Sequence, residues 1–199
     1  MSEHPVKKYP TIGCCGLDCG LCPRYYTVGS SRCPGCCGPG FFDVYPSCSY
    51  ITCCVKKRGR EVCAECDEFP CSKFESWLAN GGKYDSFLTH KKANYNTSFI
   101  RKHGIEKFIE QQRKRIKILE AFLRDFNDGR SKSYFCIAVT LLPIEDLELS
   151  IAKARSKIKE KGLESDDIKT KNKIVKEFLN NFAVDRRIEL KLRRKPKTK

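Results

Sequence analysis

Histidine is scarce in this chain of 199 residues: only His4, His90 and His103 occur. A catalytic zinc centre with an open position leans on imidazole ligands, so three scattered histidines argue against one. Long apolar runs are missing as well. No stretch comes near the roughly 20 apolar residues that a membrane-spanning helix requires. Met1 to Gly13 is polar and lacks the apolar core of a secretory leader. Neither a phosphate-cradling P-loop nor a G-x-G-x-x-G turn is present. HExxH and a Ser-His-Asp arrangement are missing too, and no reaction can be read from the residues. There is no internal repeat, and no low-complexity tract outside the last few residues. Together these absences predict a soluble, cytoplasmic protein with no membrane contact.

Cysteine, by contrast, is abundant. Thirteen of the 14 cysteines fall between Cys14 and Cys71, and only Cys136 lies outside. Charge is just as uneven. Residues 1–75 hold nine Lys/Arg and eight Asp/Glu, a balance of +1, while the remainder carries +14. The sequence therefore divides into a cysteine-rich head (1–75), a basic domain (76–192) and a disordered basic tail (193–199).

In a reducing compartment, clustered cysteines are read as metal ligands before disulfides. The odd thirteenth cysteine and the adjacent pairs Cys14-Cys15, Cys36-Cys37 and Cys53-Cys54 also fit disulfide geometry poorly. Three C-x-x-C pairs recur: Cys19/Cys22, Cys33/Cys36 and Cys63/Cys66, the last followed by Cys71. A two-residue gap folds a tight knuckle with both sulfurs facing one ion, and two knuckles complete a tetrahedral shell. Pro34, Gly35 and Gly38 supply turn chemistry for the second knuckle. The head's other apolar residues are few and scattered, so a bound ion is expected to stand in for its small core. An all-thiolate shell selects zinc or an iron–sulfur cluster. Zinc is the first reading and iron–sulfur the second. Cys15-x3-Cys19-x2-Cys22 has radical-SAM spacing, but the barrel of β-α units that chemistry needs does not follow. The ferredoxin run is absent.

The stretches "CGLDCGLC", "CPGC", C-x8-C from Cys54 to Cys63, "CAECDEFPC" and "FNDGRSKSYFC" together resemble a cysteine-rich domain-of-unknown-function family, number 3795, over roughly residues 13–136. The resemblance implies no assigned reaction. It implies that the thiols that matter are Cys15, Cys19, Cys22, Cys33, Cys36, Cys48, Cys54, Cys63, Cys66 and Cys71. Cys14, Cys37 and Cys53 are extra neighbours outside that pattern. The pairing expected here joins Cys19, Cys22, Cys33 and Cys36 in one site and Cys54, Cys63, Cys66 and Cys71 in another. Cys15 and Cys48 are the substitutes.

The second half reads as a helical region containing a small strand-helix-helix-strand unit, so the expected fold class is α+β. Ile105, Phe108, Ile109, Gln112, Ile116, Leu119, Phe122, Leu123 and Phe126 recur at helical spacing, with Gln112 the one polar break. Lys107, Arg113, Lys114, Arg115 and Arg124 lie opposite. "NDGR" stops this helix, with Gly129 as its C-terminal cap. Asn127, Asp128 and Arg130 there read first as a helix stop and second as a polar site. The apolar run 133–141, "SYFCIAVTL", is expected to be a buried strand. Pro143 opens a helix facing inward through Leu147, Ile151, Ala154 and Ile158. Ser165 caps the next, buried through Ile168, Val175, Phe178, Leu179 and Phe182. In "RRIELKLRR", Ile188, Leu190 and Leu192 alternate with Glu189 and Lys191, the period of a half-exposed strand. A surplus of +14 suits nucleic acid or an acidic protein partner, although basic runs are commonly solvated helix faces. The functions weighed are a zinc-stabilised binding module, an iron–sulfur or thiol redox protein or enzyme, and a metal- or sulfur-handling protein.

Overall fold

A computed structural model describes residues 5–80, 83–164 and 166–196. Among the described residues, seven α-helices follow in chain order: α1 (Phe41–Val44), α2 (Ser72–Asn80), α3 (Ala93–His103), α4 (Ile105–Asp125), α5 (Lys132–Leu141), α6 (Ile144–Glu160) and α7 (Ile168–Asp185). Tight 3-10 turns cover Cys19–Leu21 and Cys63–Glu65, and a π-helical segment covers Ile51–Lys57. No strand occurs among the described residues.

The expected α+β class is therefore corrected to all-helical. The run 133–141 lies in α5. Phe135 to Leu141 are all buried, so this helix is covered on every side and shows no polar stripe. A continuous apolar run of that length cannot be told from a buried strand by periodicity. Around 188–192 the alternation is real, since Leu192 is buried while Glu189 and Lys191 are exposed. There is no ladder partner for it among the described residues. Instead Arg187 turns the chain at φ 54°, and the Ile188 amide donates to the Ala183 carbonyl at the end of α7.

The chain forms two compact units. The division falls inside α4, between Gln112 and Arg113, whereas the compositional break falls at 75/76. The first unit runs to Gln112 and includes the chain from Leu192 on. Ile12, Val62 and Ala64 from the cysteine-rich segment bury themselves with Ile100, Ile105, Phe108 and Ile109 from α3 and α4. The segment's apolar core is thus completed by residues beyond 75. Gln112 is buried because its amide ties α4 back to the head. Gly16 (φ 81°) lies against α3, where an added Cβ would sit 2.6 Å from the Ala93 carbonyl oxygen, so only glycine permits this approach. Arg193, expected in a disordered tail, pairs with the buried Asp85 at 2.8 Å, and their backbones are bonded as well.

The second unit comprises residues 113–191. The antiparallel packing of α6 and α7 brings Asp146 to Arg186, a two-pronged pair at 2.8 and 3.1 Å. Phe122 stacks on Phe135 with centroids 5.2 Å apart. Arg115, expected on a solvated face, donates to the carbonyls of Val139 and Leu142 and so caps the end of α5. Asp167 is the observed cap of α7, accepting from the Thr170 amide at 3.1 Å. Ser165 lies outside the described residues.

Candidate metal centre

Two of the three C-x-x-C pairs fold alike. Cys19–Leu21 and Cys63–Glu65 each make one 3-10 turn, closed by the Cys22 amide on the Cys19 carbonyl and by the Cys66 amide on the Cys63 carbonyl. Glu65 locks its turn by accepting the amides of Glu61 and Val62 at 2.9 and 3.3 Å. Arg101 of α3 holds the same turn from outside, donating to the carbonyls of Ala64 and Cys66. The third pair, Cys33/Cys36, bends at Gly35 (φ 87°), where the Pro10 carbonyl leaves no room for a Cβ.

The sulfurs gather in groups that differ from the expected pairing. At the centre of the first is Cys14, 1 % exposed, with its Sγ 3.7 Å from that of Cys36. It also engages the thiols of Cys37 and Cys54. These three hydrogen bonds pull the Cys14 thiol far down, outweighing burial; Lys7 adds to the same effect. Its partners are pushed the other way. Cys36 and Cys54 are raised chiefly by bonding to Cys14, and Cys37 is raised to about 11 for the same reason. Negative charge in this network is thus favoured on Cys14 over its three partners, and Cys63, bonded to Cys54, is lowered as well. Cys37 stands at φ 55°, a left-handed conformation costly for any side chain but glycine, and strain of this kind concentrates at functional sites.

Lys7 is the cation of this group. It is 4 % exposed, with its Nζ on the Ile12 carbonyl and its amide on the Cys37 carbonyl. Burial pulls its pKa down, but the sulfurs of Cys36, Cys14 and Cys19 and the Glu61 carboxylate together push it above the ordinary lysine value.

A second group lines a cavity of about 40 Å³: Cys53, Cys54, Cys63, Cys66 and Cys71, with Arg58 and Glu68 at the wall. All four thiols expected in the second site are here, joined by Cys53. Elsewhere, Cys15, Cys48, Cys63 and Cys71 stand close enough to Tyr50 for their charge, added to burial, to raise its phenol to about 12. Burial raises the thiol of Cys15 to about 12, and those of Cys19 and Cys22 also rise, the last two with Cys33 nearby. Of the first expected site, Cys19, Cys22 and Cys33 stay near one another, whereas Cys36 joins Cys14. Cys48 is exposed, and Cys136 is a buried residue of α5.

Reasoning from spacing left Cys14 and Cys37 outside both expected shells, as spare thiols, and gave no sign of Lys7 or Arg58 beside the sulfurs. The three adjacent cysteine pairs were the available signal, since Cys14 and Cys37 belong to two of them and both lie within the sulfur network.

Four sulfurs about 2.3 Å from one zinc stand about 3.8 Å apart along the edges of their tetrahedron. The Cys14–Cys36 separation of 3.7 Å matches such an edge, and soft, buried sulfurs are the donors zinc or an iron–sulfur cluster takes. Donor chemistry and this one spacing fit an ion. The full shell is not drawn together: among the described residues no group of three or more His, Cys, Asp or Glu side chains is arranged to hold a metal. Also among the described residues, no helix is long and apolar enough to cross a membrane. No protein-family model, curated protein or solved structure matches the chain. The functional reading therefore rests on the side chains themselves.

Proposed function

We propose that the chain is a metal–thiolate protein of the cytoplasm. Its cysteine-rich segment binds structural zinc in a sulfur-only shell, and its basic helical unit meets an anionic partner, nucleic acid or an acidic protein. The observation that supports this most is the sulfur network around Cys14, with its 3.7 Å contact to Cys36 and the buried Lys7 beside it. Cys14, Cys36, Cys37 and Cys54 would hold the ion. When bound, zinc supplies a cross-link between the loop at Cys14, the "CPGCC" turn and the π-helical segment. Lys7 offsets part of the negative charge that a tetrathiolate shell carries. The apolar wall of Ile51 and Val55 keeps water from the sulfurs. An iron–sulfur cluster is the competing occupant of the same thiols, and composition separates the two.

The test is elemental analysis of full-length protein purified without oxygen, counting zinc, iron and acid-labile sulfide. Zinc without labile sulfide, reduced in Cys14→Ser, is expected. Iron with stoichiometric sulfide would replace zinc by a cluster. Metal-free protein that remains cooperatively folded under reducing conditions would overturn the metal reading altogether. For the basic unit, Arg113, Lys114 and Lys117 on α4 and Lys169 and Lys173 on α7 are exposed. Binding to a nucleic acid should weaken steeply between about 50 and 200 mM salt. Affinity that ignores salt argues for a partner other than a polyanion.

A further inference from the structure

The antiparallel helices α6 and α7 set two lysines over two aromatic rings in register. Lys153 and Lys157 lie one turn apart on α6, and Phe182 and Phe178 lie one turn apart on α7. The Lys153 ammonium stands 5.5 Å from the ring centroid of Phe182, and the Lys157 ammonium 5.5 Å from that of Phe178. The result is a ladder of two like rungs about 6 Å apart, each a flat ring with a cation over it. Both rings are half-buried rather than covered, although the sequence puts them in the buried stripe of α7. The small side chains of Ala152 and Ser156 leave a groove of about 420 Å³ here, lined also by Lys153, Lys157, Glu160 and Phe178. Lys157 is paired with the Glu177 carboxylate at 3.0 Å, and both side chains touch solvent. The unit that carries the groove, residues 113–191, holds nineteen Lys/Arg against thirteen Asp/Glu.

We propose that this groove binds single-stranded nucleic acid, one nucleotide per rung, with each base stacked on a ring and its phosphate at the lysine of that rung. The inference rests on the reading above, in which the basic unit meets an anionic partner, and it names the polymer and the place. Any base has a π-face, so two bare rings accept a strand without regard to its sequence, and the phosphates supply the charge the lysines match. On binding, each ammonium leaves its ring for a phosphate and the base takes its place. An exposed cation–aromatic contact is worth little, and so is a solvent-exposed ion pair. Lys157 therefore exchanges Phe178 and Glu177 for a phosphate at small cost. A duplex keeps its bases stacked on one another and offers the rings nothing. Acidic side chains match the lysines but leave both rings without a flat counterpart.

The experiment follows fluorescence anisotropy of three labelled probes as full-length protein is added: a short oligothymidylate, a DNA duplex of the same length and a polyglutamate peptide. The single strand should bind tightest. Phe178→Leu keeps an apolar side chain at a half-buried position and should weaken the strand on the order of tenfold, with the far-ultraviolet circular dichroism unchanged. Phe178→Tyr keeps the ring and should bind like the wild type. Lys153→Gln should lower the slope of log affinity against log salt by about one. Lys159→Gln, an equal loss of charge about 200° around α6 from Lys157, should leave that slope unchanged. Equal affinity in Phe178→Leu and Phe178→Tyr overturns the ladder but not the anionic partner, as does a slope that falls equally in Lys153→Gln and Lys159→Gln. A duplex bound as tightly as the strand overturns it too. Preference for polyglutamate overturns it in favour of an acidic protein. No salt-dependent binding to any of the three probes defeats the underlying reading as well.

Discussion

The side-chain amide of Gln112 donates to the Asp18 carboxylate at 2.5 Å and to the Thr11 carbonyl at 2.8 Å, joining α4 to the loop that carries Cys19. Both Gln112 and Asp18 are buried. Gln112→Leu keeps roughly the same bulk and continues the apolar face of α4, but strips two polar groups of a donor. A loss of about 2 kcal/mol is expected from chemical denaturation, with no change in the helicity of residues 113–191. Unaltered stability would mean that water replaces the amide without cost.

Cysteines should separate by network rather than by burial alone. Cys14 and Cys136 are both buried thiols, 1 % and 2 % exposed. Cys136→Ala removes one sulfur from the interior of α5 and should cost about 1–2 kcal/mol as a packing defect, leaving the metal content unchanged. Cys14→Ser should lower the metal count as well as stability. Equal metal content in the two variants would show that Cys14 is no ligand.

Acid should release the clamp at Asp85. Its carboxylate is fully buried, and although burial raises its pKa, the side chain and backbone of Arg193 and the amide of His90 hold it below the ordinary aspartate value. The ionised form is therefore the one the fold favours. Its stabilisation is complete above the unfolded-state value of about 4 and fades as pH falls through the lower folded value. Asp85→Asn should lose about 2 kcal/mol at neutral pH and show a shallower decline of stability below about pH 4. Parallel pH profiles for the two proteins would exclude Asp85 from the acid response.

Removing metal should not unfold the chain uniformly. Ile12, Val62, Ala64, Ile100, Ile105, Phe108 and Ile109 form a core without sulfur, while Cys14, Cys37, Ile51, Cys54 and Val55 form one that depends on it. After chelation under reducing conditions, hydrogen exchange should accelerate first in residues 33–60. Amides of α6 and α7 should stay protected. Simultaneous loss of protection everywhere would refute this order.

How much of this was legible depended on whether a segment had two different faces. α4, α6 and α7 are long and amphipathic, and their apolar spacing located them. α5 has no polar face because Phe135 to Leu141 are all buried, so its helical period left no trace in the sequence. The alternation at Ile188, Leu190 and Leu192 reported burial correctly but not hydrogen bonding, since a strand exists only when another pairs with it. Among the cysteines, spacing gathered Cys54, Cys63, Cys66 and Cys71. It could not place Cys14 against Cys36 and Cys37, because that contact is made by chain segments more than twenty residues apart. Lys7 and Arg58 carried no signal at all; a cation beside sulfur becomes visible only in three dimensions.

The polypeptide leaves the first compact unit after Gln112 and re-enters it at Leu192, so residues 113–191 are an insertion nested within another fold. During synthesis, the ribosome finishes the nested helices before it delivers Arg193 to Asp85, its partner 108 positions earlier. The clamp between Asp85 and Arg193 therefore closes only after the nested helices have been made.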